Sequence, residues 1–153
     1  MGTDWKENLK SLFEELCILE GSRKETVEDF DQFCEFVAEP AFEALSDEIK
    51  QYGAKAKLKK LRGKSISFKI DFAGSNFASF QYAIVLPEDS VELHLRLQVK
   101  GYRARDGRVK EKDAVFMEGI APSGILKLSK EDIIQDFIEN CRVFGFQALT
   151  GSE

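Results

Sequence analysis

Ser65-Ile66-Ser67-Phe68-Lys69-Ile70-Asp71-Phe72, SISFKIDF over residues 65–72, decides the fold of this 153-residue chain. Apolar and polar residues alternate at all eight positions, which puts Ile66, Phe68, Ile70 and Phe72 on one side of an extended strand and the polar set on the other. This is the pattern of an antiparallel strand with one wet face. Two further segments share the period. Ala78, Phe80, Tyr82, Ile84 and Leu86 form one apolar parity, and Val91, Leu93, Leu95, Leu97 and Val99 form another.

The turns between these strands are read from the same pattern. Pro87-Glu88-Asp89-Ser90 as a four-residue turn sets Leu86 opposite Val91, Ile84 opposite Leu93 and Tyr82 opposite Leu95. An even loop at Gly74-Ser75 would oppose Phe68 to Gln81, so an odd loop, Gly74-Ser75-Asn76, is expected, with Phe68 opposite Tyr82 and Ile70 opposite Phe80. Asp106-Gly107 signals a two-residue hairpin that sets Val99 against Ala114 and Leu97 against Phe116. The strands thus form a four-stranded antiparallel meander over about residues 65–119.

On the N-terminal side the period changes to 3.6. Asp4 with Glu7 opens a helix whose stripe is Trp5, Leu9, Leu12, Phe13, Leu16 and Leu19, closing at Gly21. Ser22 with Glu25 opens a second, with Val27, Phe30, Phe33, Cys34 and Val37, kinked or split at Pro40 and ending at Gly53. Residues 54–64 read as a basic, solvated connector. On the C-terminal side Ile125 to Leu128 suggest a short strand, and Ser129 with Asp132 caps a helix over about 130–144, leaving 146–153 as a loose tail. The expected fold class is α+β, two-layer, in one domain over 1–153, with helices on one sheet face and the other face free. That free face carries the rows Lys69, Gln81, Arg96, Met117 and Asp71, Ser79, Gln98, Val115.

The formal net charge of -5 hides three blocks. Residues 1–50 hold 5 basic and 14 acidic side chains, 51–112 hold 14 and 6, and 113–153 hold 3 and 7. A field acts on partners through its local sign, so the middle block attracts anions that the rest repels. Within it the hairpin over 103–110 is the sharper feature, because the expected register brings Arg103, Arg105, Arg108 and Lys110 onto one face of a ribbon. Like charges across strands invite an anionic counterpart. Arg96 and Lys100 on the free face complete the candidate partner- or anion-binding set. The connector over 55–64 has no interleaved aromatics.

Several chemistries lack their residues. Cys17, Cys34 and Cys141 lie far apart and His94 is the single histidine, so no metal-ligand spacing exists and no cofactor or metal is expected. His94 sits mid-strand without a nucleophile beside it, and a small-molecule site around His94 and Tyr82 has little support. Phosphate-cradling glycine loops are absent, since the position six before Lys64 is Leu58. No apolar run of the roughly 20 residues that cross a bilayer is present, so no membrane contact is expected and the cytoplasm is the expected compartment. The expectation is a non-catalytic domain that binds a protein partner or itself through the basic hairpin or the open sheet face. Nucleic-acid or polyanion binding through 103–110 and 55–64 is the alternative, disfavoured by a pI near 5.1.

Overall fold

Five strands, β1 (Lys55–Leu61), β2 (Ser65–Asp71), β3 (Phe77–Val85), β4 (Arg96–Arg103) and β5 (Val109–Val115), form one antiparallel sheet in the order β1-β2-β3-β4-β5. The structure is a computed structural model that describes residues 4–72, 77–103 and 109–150. The helices are α1 (Asp4–Phe33), α2 (Glu39–Ile49) and α3 (Lys130–Thr150). They bury one face of the meander, as the α+β class requires.

The β2–β3 register is the expected one, with Phe68 opposite Tyr82 and Ile70 opposite Phe80. The loop that sets it lies outside the described residues. β3 and β4 are paired four residues further along than expected, with Tyr82 opposite Val99 and Ile84 opposite Leu97. Asp89 takes a left-handed φ of 62° and the Ser90 hydroxyl donates to the Pro87 carbonyl at 2.6 Å, so the chain closes a local turn without zipping Leu86 onto Val91. Because four is even, Leu93 and Leu95 keep their inward parity and stay buried although they lie outside the ladder. β4 and β5 are offset by two, with Leu97 opposite Ala114 and Val99 opposite Lys112. Parity again survives the change in partners.

The expected connector is an edge strand. Lys55, Lys57 and Lys59 alternate with Ala56, Leu58 and Lys60 along β1, and a lysine-rich edge discourages a further strand from pairing there. The expected strand at 125–128 is instead a turn of 3₁₀-helix over Pro122–Lys127, where the fixed φ of Pro122 suits a helical first turn and Ile125 is buried.

Two helix boundaries differ, at Gly21 and Gly145, while the break expected at Pro40 is present. α1 runs through Gly21, whose cost of about 1 kcal/mol relative to alanine weakens a helix without stopping it. At Pro40 the missing amide is absorbed by a π-helical turn over Cys34–Ala38, in which the Glu39 N–H donates to the Cys34 carbonyl. The stop at Gly53 is as expected, with a left-handed φ of 79°. α3 begins at the expected cap, where Asp132 N–H donates to Ser129 Oγ (3.3 Å) and Ser129 N–H to Asp132 Oδ2 (2.9 Å). It does not end at Gly145. It continues to Thr150, with Phe144 buried against Phe80 at 5.6 Å between ring centroids.

The core is aromatic. Phe42 of α2 stacks on Phe68 of β2 (5.0 Å, 5° between planes), while Phe137 of α3 meets Phe68, Phe80 and Tyr82 edge-on at 5.4 to 5.5 Å. Such pairs contribute about 0.5–1.5 kcal/mol each beyond the area they bury. Phe33 of α1 meets Phe116 beyond β5.

Candidate interaction surfaces

α1 and the π-helical turn that follows it carry one largely apolar seam through two environments. Trp5, Leu9, Leu12, Leu16, Leu19, Arg23, Thr26, Phe30, Phe33 and Val37 recur at alternating spacings of four and three, a heptad seam unbroken across Gly21. From Thr26 onward the seam is buried under the sheet. Before Arg23 it is bare. Trp5, Leu9, Leu12, Leu16 and Leu19, with Phe13 on the flank, are each between 45% and 60% exposed. Contiguous apolar surface of this extent marks an interaction site more often than a solvated face. Arg23 closes the bare segment, its guanidinium paired with Asp89 of the β3–β4 loop.

The open sheet face is the second surface. Its rows are Lys57, Lys69, Gln81, Lys100, Glu111 and Lys59, Ser67, Ala83, Gln98, Asp113. Lys69 and Gln81 are neighbours as expected, but the register shifts bring Lys100 and Glu111 beside them in place of Arg96 and Met117. Arg96 is held by Asp113 (Nη2 to Oδ1, 2.8 Å; Nε to Oδ1, 2.9 Å), Gln98 donates to the same carboxylate at 3.2 Å, and Lys100 pairs with Glu111 at 3.3 Å. Gln98, Lys100, Glu111 and Asp113 rim a depression of about 520 Å³ over β3, β4 and β5. The far edge differs. Among the described residues, no ion pair engages Lys55, Lys57 or Lys59.

Of the six expected binding residues, Arg96 and Lys100 therefore share the open face, each with an acidic partner from β5. Lys110 stands opposite Gly101, not Arg103, and on the other side of the sheet. Arg103 ends β4, with Phe77 opposite it. Arg105 and Arg108 lie outside the described residues.

His94 is exposed in the loop before β4, 2.8 Å from Glu92, whereas Tyr82 is buried and donates its hydroxyl to Asp136 Oδ2 at 2.5 Å. They serve separate structures. Burial holds Asp136 above the usual carboxylate range, with Tyr82 opposing the shift, and raises Tyr82 in turn. It also pushes Cys34 and Cys141 up to about 12, while Cys17 lies exposed on α1. No group of three metal-ligating side chains and no helix able to cross a membrane occurs among the described residues.

The bare seam is the site that strand-centred reading of the sequence misses. Its signal is length: 30 helical residues span about 45 Å at 1.5 Å each, whereas a seven-residue strand spans about 23 Å, so a sheet of that strand length covers at most about half of α1. Comparison with known protein families, characterised proteins and solved structures finds no match to the chain.

Proposed function

We propose that this chain is a non-catalytic protein-interaction domain whose binding element is the N-terminal half of α1. The observation that carries the reading is the bare seam from Trp5 to Leu19, built with the spacing that buries Phe30 and Phe33 a few turns later. A helix that shows an apolar stripe to water has the features of a surface that another helix or groove covers. The test is capture with the tagged chain beside its Leu9→Glu, Leu12→Glu, Leu16→Glu variant. At least one protein, either untagged copies of this chain or a different one, should be retained by the first and lost by the second. Identical captures from both would remove the reading.

A second reading is polyanion binding on the β1 edge. It is supported by Lys55, Lys57 and Lys59, which share one side of an edge strand and have no ion-pair partner among the described residues. Phosphates are recognised by rows of this kind, although the chain's net charge of -5 opposes non-specific association.

A further inference from the structure

We infer that the occupant of the bare seam is a second copy of this chain, its α1 laid antiparallel about a two-fold axis near Glu14. The inference rests on the interaction reading above and names its partner.

Length fits first. In this alignment Leu9 packs against the partner's Leu19 and Leu12 against the partner's Leu16. Asp4, where α1 begins, reaches the level of the partner's Lys24. There the Arg23–Asp89 ion pair marks the start of the folded body, so the bare segment of each copy is covered from end to end without entering the other's sheet.

Charge then selects direction. Antiparallel pairing puts Lys6 beside the partner's Glu20 on one flank, twice by symmetry, and the ring of Trp5 beside the partner's Arg23, a favourable cation–π arrangement. Phe13 meets its own copy on the axis and extends the apolar contact. The single conflict is Glu15 facing the partner's Glu15 on the opposite flank. Parallel pairing is worse on each count. It sets Arg23 against the partner's Arg23 in the seam, places Glu15 beside the partner's Glu20 twice, and crowds both bodies at one end.

Size agrees. Six side chains, about half exposed and contributing about 100 Å² each, offer roughly 600 Å² per copy, which makes about 1,200 Å² in total, the lower limit of specific interfaces. Association should therefore be concentration-dependent and not obligate.

The test is sedimentation equilibrium of the purified full chain up to about 500 µM, a range that detects the weak end of specific binding. A monomer–dimer equilibrium is expected. Leu12→Glu with Leu16→Glu should weaken it about 100-fold while the unfolding transition of the body is retained. Lys6→Glu or Glu20→Lys alone should weaken it about 3- to 10-fold, and the two together should restore it to within about twofold. A chain that stays monomeric overturns the self-pairing and leaves the interaction reading to the capture experiment. A dimer that survives Leu12→Glu with Leu16→Glu overturns it too. So does any charge pattern other than the one stated, including Glu20→Lys tightening the dimer, which is the parallel result.

Discussion

Tyr82 and Asp136 show how much one hydrogen bond in an aromatic core decides. The Tyr82 ring is enclosed by Phe42 and Phe137, and its hydroxyl reaches the one carboxylate that α3 presents there, 2.5 Å away. Tyr82→Phe keeps the ring contacts and removes a donor to a half-buried carboxylate. Urea unfolding should report a loss of about 1–2 kcal/mol, below the full value of a charged hydrogen bond because Asp136 keeps Asn140 Nδ2 at 3.3 Å and some solvent. The pH dependence has a definite sign. Since burial raises Asp136 in the folded state above its ordinary 3.8, the folded chain binds that proton more tightly, and this contribution to stability falls as pH rises from about 3.8 through the raised value. Asp136→Asn removes the titration while its amide oxygen can still accept from Tyr82. The stability of Asp136→Asn relative to the parent should therefore climb as pH rises from about 3.8 through the raised value and then level; a constant difference would refute the burial-driven shift. The inward parity of Tyr82 is legible in the alternation of β3. Its acceptor is not, because 54 residues separate the two and only the docking of α3 brings them together.

At the scale of elements, parity is the part of the fold written in the sequence, and register is only partly so. The strands expected from alternation keep their apolar residues inward except at Val91, which is exposed, yet two of three registers slip by even steps, since a slip of two or four leaves the same side chains in the core. β1 escapes notice for a related reason. Its outward positions are Lys55, Lys57, Lys59 and Leu61 and its inward positions are only Ala56, Leu58 and Lys60, so its alternation lacks apolar contrast. What fixes β1 is tertiary: the Gly63 N–H in the β1–β2 turn donates to Asp31 Oδ1 of α1 at 2.7 Å, Arg62 lies 3.5 Å from the same carboxylate, and Lys60 lies 3.5 Å from Glu39. Gly63 has a left-handed φ of 71°, and a Cβ there would stand 3.1 Å from Val27 Cγ1. Gly63→Ala combines backbone strain with that contact and should destabilise the chain by about 1–2 kcal/mol. Native-state hydrogen exchange should show the loss concentrated in β1 and β2; a loss spread evenly over the sheet would mean that the turn does not anchor this hairpin.

Across the whole molecule the three charge blocks become a spatial arrangement. The acidic helices neutralise part of the basic segment through Asp31 and Glu39, and β5 neutralises Arg96 and Lys100, whereas among the described residues Lys55, Lys57 and Lys59 on the β1 edge have no ion-pair partner. The sequence shows that charge is sorted, but which cations are matched depends on neighbours that are distant along the chain. The two surfaces therefore separate by chemistry: α1 offers apolar area with little screening by salt, and the β1 edge offers charge whose effect salt suppresses. If the β1 edge binds phosphates, affinity for a mixed-sequence single-stranded oligonucleotide should fall steeply between about 25 and 200 mM salt. Lys55→Gln, Lys57→Gln and Lys59→Gln together should then lower the slope of log K against log salt by about 0.7 for each lysine that contacts a phosphate. The same substitutions should leave self-association through α1 unchanged, because none lies on that helix. An unaltered slope would place the contacts elsewhere on the chain, and no binding at the lowest salt would leave the helix seam as the single functional surface with support.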